Sequence, residues 1–299
     1  MRTTIRRVSY ALALVVVIFL ALWVAGRFSP TGRTKEYFAI QRAWKAHWPF
    51  DRGRYLPARV ETVFNPLVPV RVQLEPGVNM LLDPDDSVSR TLLETGQWEP
   101  ETWGIVKKYL PAGGTFVDVG AHIGVYSLKA AQAVGSQGHV IAIEPNPETV
   151  QKLRDNIQAS GDNNIAVQPV ACSDSETDLD LFAAARSNTG ETSLSRANAA
   201  QAGTVRAVYH VHARPLDAIL EAAGVARVDV VKIDVEGAEM LVLKGARQTL
   251  ARYSPAISVE LIDRQLKSMG SSIAEVTEFL RSQGYSPRQT SSANVLFTK

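Results

Sequence analysis

Three stretches of the sequence gather side chains suited to chemistry. In "FVDVGAHIGV", residues 116–125, Asp118 stands just before Gly120, Ala121, His122 and Gly124. In "AIEPNP", Glu144 is followed by Asn146, and acids accumulate again at Asp234, Glu236 and Glu239 in "KIDVEGAE" and at Glu260 in "ISVEL". A glycine-bearing turn between a strand and a helix ordinarily receives phosphates, because exposed helix N–H groups and the helix dipole favour negative charge. A carboxylate there would repel a pyrophosphate, and the spacing G-A-H-I-G is not the G-x-G-x-x-G of dinucleotide folds. S-adenosylmethionine resolves the conflict: it carries an ammonium and a sulfonium but no phosphate, so Asp118 offers it attraction and a charge-assisted acceptor. Glu144 would accept both ribose hydroxyls, as it would for NAD, so Asp118 rather than Glu144 separates the two cofactors. Gly120, Ala121, His122, Gly124 and Asn146 complete the expected cofactor contacts, with Asp174 after Ser173 at a strand end near the adenine.

Methyl transfer is an in-line displacement, so the protein must align an acceptor oxygen and take its proton. Asp234, Glu236 and Glu260 are the catalytic candidates, at the ends of two strands across from the glycine turn. The alternative is structural: Asp234 or Glu236 would cap a helix starting near Ala238, and Glu239 would complement its dipole. Repulsion among these acids should raise at least one pKa, as a general base requires. Lys232, two residues before Asp234 in a central strand, is expected to pair with an acid. His210 and His212 share a strand face, but without a third ligand they are read as packed or exposed, and no metal site is assigned. Cys172 is the only cysteine, which excludes an intramolecular disulfide and multi-cysteine zinc sites.

The elements that must position these residues follow one rhythm of short β-branched runs, turns and amphipathic stretches. Strands are predicted near 115–119, 139–144, 165–171, 228–233 and 256–261, with helices near 124–134, 147–159, 215–223, 238–251 and 272–283. Such alternation predicts an α/β fold with a mostly parallel sheet covered by helices on both faces. The ending "GYSPRQTSSANVLFTK" reads as an antiparallel hairpin at the sheet edge. "TDLDLFAA" and "VRAVYHVHA" read as further strands around a polar loop, and "VPVRVQLEPGVNMLLD" as a hairpin leading into the domain.

"FVDVGAHIGVYSL", "AIEPNP", "VDVVKIDVEGAEMLVLKGA" and "ISVEL", in that order and spacing, resemble the FkbM-type S-adenosylmethionine-dependent methyltransferases. The resemblance covers roughly residues 90 to 299, and D-V-E-G-A-E is its most specific element; His122 stands where the family often carries Asn. It implies a class I (Rossmann-like) methyltransferase fold and O-methylation, often of a sugar hydroxyl in a glycan, glycolipid or natural product. Two readings compete: an NAD(P)-dependent oxidoreductase, disfavoured by Asp118 and the glycine spacing, and a membrane-tethered binding module of the same fold without catalysis.

Residues 1 to 60 hold eleven Lys/Arg against two Asp/Glu, leaving twenty-one against twenty-eight for the rest. The acidic bulk argues against a nucleic-acid substrate, which calls for a basic face. Residues 8–26, "VSYALALVVVIFLALWVAG", are nineteen residues without a charge, nearly enough as a helix to cross a ~30 Å hydrocarbon core. One N-terminal transmembrane helix is expected, the alternative being a cleaved signal peptide. The expected organisation is an anchor over 1–30, a basic juxtamembrane linker over 31–64, and a methyltransferase domain with its N-terminal hairpin over 65–299. In "KEYFAIQRAWKAHW", Tyr37, Ile40, Trp44 and Trp48 at helical spacing beside Arg42 and Lys45 suit a helix on anionic headgroups or one packed on the protein. The Lys/Arg excess after the span places the catalytic domain on the cytoplasmic side. The sequence assigns no oligomeric state.

Overall fold

The computed structural model describes residues 29–47, 64, 67–184, 192–201, 204–291 and 293–299. Residues 8–26, the expected membrane span, lie outside the described residues; among the latter, no helix is long and apolar enough to cross a membrane. The chain forms two compact units, one within residues 1–72 and 81–96, the other of residues 73–80 and 97–299.

In the first unit the helix Pro30–His47 buries Thr34, Tyr37, Phe38 and Gln41. Tyr37 stacks edge-on with Phe38 and tilts against Phe64, and Arg42 donates to the Leu93 carbonyl. Tyr37 is therefore spent on internal packing, as in the second of the two readings of this helix; Trp48 lies outside the described residues. Strands β1 (Val70–Glu75) and β2 (Val78–Leu82) pair as the expected hairpin around Gly77, whose φ of +84° suits glycine.

The second unit carries the main sheet, with β3 (Thr115–Val119), β4 (His139–Ile143) and β5 (Ile165–Gln168) first in the chain. A second sheet is built from β6 (Ala171–Ser173), β7 (Thr177–Ala183), β8 (Thr192–Ser193) and β9 (Ala207–Pro215). The main sheet is completed by β10 (Val230–Ile233), β11 (Ala256–Glu260), β12 (Ser286–Ser291) and β13 (Asn294–Thr298). Among the described residues, the main sheet orders seven strands as β12-β13-β11-β10-β3-β4-β5. β11 through β5 run parallel, and β13 is antiparallel to both β11 and β12. This is the class I methyltransferase arrangement with its closing hairpin. Strand order reverses between β3 and β10, and open α/β sheets bind their ligands at the carboxyl ends of the strands beside such a reversal.

Two expected elements are divided. The strand predicted over 165–171 stops at Gln168, because Pro169 has no N–H for the ladder, and Ala171–Ser173 joins the second sheet instead. The helix predicted over 238–251 is two helices, Glu239–Lys244 and Arg247–Tyr253. At the break, a Cβ on Gly245 would lie 2.1 Å from the Ser173 carbonyl oxygen, so close backbone approach demands glycine there.

Both faces of the main sheet are buried. Val117, Val119, Val231, Ile233, Ile257 and Val259 enter one core with Leu243, Leu250 and Phe297. Phe116, Val230, Ala256 and Leu296 point the other way, onto Tyr126, Ala130 and Ala131 of the helix Val125–Val134. With a side-chain period of two, Asp118, Lys232, Glu260 and Asn294 share this second face.

Candidate active site

Lys232 is the Cα partner of Asp118 on one side and of Ser258 on the other. Asp118 is fully enclosed. Its Oδ2 accepts the Ser127 hydroxyl at 2.7 Å, and Oδ1, 3.8 Å from Lys232 Nζ, has no hydrogen-bond donor. Burial raises the Asp118 pKa, with the Lys232 charge opposing it. Lys232 Nζ donates to Asp234 Oδ2 at 3.0 Å and lies 4.9 Å from the centre of the Tyr126 ring, whose hydroxyl donates to Glu99 Oε2 at 2.7 Å. Burial works against this ammonium, but Asp234 and Asp118 more than offset it and keep it charged. The expected pairing of Lys232 is therefore present, and it is double. Asp118 faces Lys232 and Ser127, the latter in the first turn of the helix Val125–Val134.

The turn after β3 is held by backbone geometry. Gly120 and Ala121 donate their N–H groups to the Ile143 carbonyl. Gly120, His122 and Gly124 all have positive φ, at +84°, +50° and +93°; for His122 this is a strained conformation. A Cβ on Gly120 would lie 1.8 Å from the Asp234 carbonyl oxygen, so this glycine lets the turn meet the chain leaving β10. Glu144, just beyond β4 and buried, fixes the neighbouring loop: Oε2 accepts the His122 N–H and Oε1 the Asn146 N–H, each at 2.9 Å. Burial pushes its pKa up to about 7 against these two N–H bonds. Asn146 caps the helix Pro147–Ser160 through the Glu148 N–H and reaches Thr192 Oγ1.

These residues fit the cofactor expected from the sequence. Each Glu144 oxygen holds one backbone N–H and retains acceptor capacity for a ribose hydroxyl, and the Asp118 oxygen without a donor adds negative potential beneath the turn. Asp174 follows β6 in the second sheet, where it is exposed and accepts from the Ser173 and Ser175 hydroxyls.

Past β10 and β11 the three catalytic candidates converge: carboxylate oxygens of Asp234, Glu236 and Glu260 all lie within 4.8 Å of one another. All three are partly exposed, whereas Asp118 and Lys232 beneath them are closed off. Glu236 has φ +55°, a strained value for a side-chain-bearing residue. Its carbonyl accepts from Ser193 Oγ and Asn198 Nδ2, both at 2.8 Å, and Gln265 Nε2 donates to its carboxylate. Repulsion from Asp234, then burial, then Glu236 drive the Glu260 pKa far up.

The helix Glu239–Lys244 has Ala238 at its N-cap, with no side-chain cap hydrogen bond. Glu239 Oε1 instead binds the turn before the helix, accepting the Gly237 N–H at 3.0 Å and the Val235 N–H at 3.3 Å, and burial pushes its pKa up to about 7. Neither His210 nor His212 joins a metal cluster among the described residues: His210 Nδ1 meets Asp180 at 2.7 Å, and His212 meets Asp178 and Glu176 at 3.0 and 3.1 Å. Sequence reasoning missed Asn198, Gln265 and Asn294. The first two come from separate helices and carry no spacing signal. Asn294 is directly opposite Glu260 in the β11–β13 ladder, which alternation within the C-terminal hairpin could have indicated.

The chain is 27% identical over 166 residues to the hexuronic acid methyltransferase AglP of Haloferax volcanii, covering 56% of this chain and 58% of that protein. Its fold is similar to that of a methyltransferase FkbM from Methylobacillus flagellatus, with a TM-score of 0.44, 18% identity, and coverage of 90% of this chain and 59% of the other. It is also similar to Aeropyrum pernix fibrillarin with natively bound S-adenosyl-L-methionine, with a TM-score of 0.39, 10% identity, and coverage of 64% and 67%. The chain thus spans less than two thirds of the first two of these relatives. Residues 118–287 match the family described as the methyltransferase FkbM domain. As this match runs from Asp118 in the glycine turn into the first strand of the last hairpin and takes in more than half of the chain, the chain belongs to the FkbM methyltransferase family, with S-adenosylmethionine as its methyl donor.

Proposed function

We propose that the protein transfers a methyl group to a sugar hydroxyl of a glycan, glycolipid or natural product. The observation that carries this reading is the convergence of Asp234, Glu236 and Glu260 at the carboxyl ends of β10 and β11, beside the cofactor turn and open to the outside. The name of the Haloferax relative, a hexuronic acid methyltransferase, supports a sugar acceptor.

S-adenosylmethionine supplies an electrophilic methyl group on its sulfonium. Glu144 holds the ribose, the Gly120–Gly124 turn receives the methionine end, and Asp118 adds the negative potential beneath it. Asp234, Glu236 and Glu260 hold the acceptor. Its hydroxyl proton passes to a carboxylate as the oxygen–methyl bond forms and the carbon–sulfur bond breaks, with the electron pair staying on sulfur. Lys232 fixes Asp234 in place through its hydrogen bond to Oδ2.

Residues 8–26 tether the domain to the cytoplasmic face of a membrane, where the donor is made. The tether raises the effective concentration toward a lipid-linked acceptor. Incubation of the protein with isotopically labelled S-adenosylmethionine and a glycan and glycolipid extract tests the activity. Label in a sugar O-methyl group is expected; label in no acceptor, with the cofactor bound, would leave the catalytically inactive module. Protease treatment of sealed right-side-out vesicles tests the placement: the domain should be protected, and digestion from outside would overturn it.

A further inference from the structure

Among the described residues, Lys232 is the ammonium that meets both Asp118 and Asp234, and Asp234 in turn stands with Glu236 and Glu260.

The geometry of the outer three acids is that of a ligand set. Oxygens bound to a common hard cation at about 2.0–2.6 Å lie at most about 4–5 Å apart, and one oxygen from each of Asp234, Glu236 and Glu260 meets that limit. A second observation is independent of these acids. Asn294 is only 4% exposed, yet its amide oxygen has no hydrogen-bond partner. Asn294 is the direct antiparallel partner of Glu260, and side chains at paired positions project from the same face with Cβ atoms about 4.5–5.5 Å apart. A buried acceptor without a donor is costly, and here it stands beside a group made up of acceptors. Glu239 Oε2 is likewise buried and without a partner.

We propose that Asp234, Glu236 and Glu260, with the amide oxygen of Asn294, form a binding site for a hard divalent cation of the Mg2+ or Mn2+ class. Four oxygen donors and no sulfur or imidazole select such ions. The inference rests on assigning these acids to the acceptor end, and it sharpens that assignment. The acids become ligands, and the cation orients and polarises the acceptor hydroxyl. It favours sugars that present a second oxygen, a neighbouring hydroxyl or a carboxylate, for chelation.

The test uses the full chain in detergent, stripped with a chelator and titrated with Mn2+, the free ion being followed by electron paramagnetic resonance. One Mn2+ should bind per chain, and Glu260→Gln and Asn294→Ala should each weaken binding at least about tenfold, while S-adenosylmethionine binding by calorimetry stays intact as proof of folding. No stoichiometric Mn2+ binding, or equal binding in the parent and both variants, overturns the proposal. Methyl transfer that persists undiminished in the chelator would also overturn it, leaving the proposed activity standing. Mn2+ bound at this site in a protein that methylates no acceptor supports the cation site and counts against the activity alone.

Discussion

At the carboxyl ends of β3 and β4 the carboxylates are met by donors, whereas at those of β10 and β11 they chiefly meet one another. Glu144 receives two backbone N–H groups, and Asp118 receives a hydroxyl and faces Lys232. Glu260, by contrast, has its charge opposed first by Asp234 and then by burial and Glu236. Donors built into the chain give the first region one geometry whether or not a ligand is present, which suits a cofactor whose structure never varies. In the second region three carboxylates stand together, partly exposed, and can receive further donors or positive charge, which suits a variable acceptor. Lys232 ties the two together, since it reaches Asp118 on one side and Asp234 on the other.

The largest expected effect comes from the place where the two regions touch. Gly120→Ala adds a methyl 1.8 Å from the Asp234 carbonyl oxygen at a φ of +84°. Because backbone must move, a loss of about 3–5 kcal/mol is expected, read as a large drop in the denaturant midpoint; an unchanged midpoint would mean that the two turns do not meet. Next, Glu144→Ala should weaken S-adenosylmethionine binding by roughly 1–3 kcal/mol, and calorimetry that finds parent affinity would remove Glu144 from the cofactor region.

The pH dependence is smaller and its sign is fixed. Glu144 has a folded pKa of about 7 against an ordinary 4.5, so between those values the folded state binds more protons than the unfolded chain. Its contribution to stability therefore falls as pH rises from about 4.5 to about 7, by on the order of 2–3 kcal/mol when ligand-free. Glu144→Gln should flatten that part of the stability profile; a slope identical to the parent's would contradict the assignment. Ribose hydroxyls favour the ionised form, so cofactor binding near pH 7 should release a proton, seen as a buffer-dependent calorimetric enthalpy. Smallest is Asn146→Ala, which removes a helix cap and should cost about 1 kcal/mol in thermal unfolding; an unchanged midpoint would show that the cap carries no stability.

How much of this was legible in the sequence differs between the two regions. The cofactor region is local: strand, turn and helix follow one another within residues 115–134, so an apolar run, two glycines and an acid were enough to place it. Lys232 was legible for a similar reason, because an ammonium in a central strand must find a carboxylate. The acceptor region is assembled from distant parts. Asn294 meets Glu260 through antiparallel pairing, and Gln265 and Asn198 reach Glu236 from two other helices. None of these contacts leaves a periodic trace around Glu236. The end of β5 was misread because of a single residue's chemistry: Pro169 stops the strand at Gln168, and Ala171–Ser173 pairs in the second sheet instead.

The division of labour between the two ends is tested most directly by Asp234→Asn, which keeps the shape of the side chain and removes its charge. Turnover and S-adenosylmethionine affinity are to be measured on the same preparation. A fall in turnover of about 100-fold or more, with cofactor affinity within about threefold of the parent, is the predicted result. Turnover at the parent level, or a loss of affinity in step with the loss of turnover, would contradict the assignment of Asp234, and with it the acids beside it, to the acceptor.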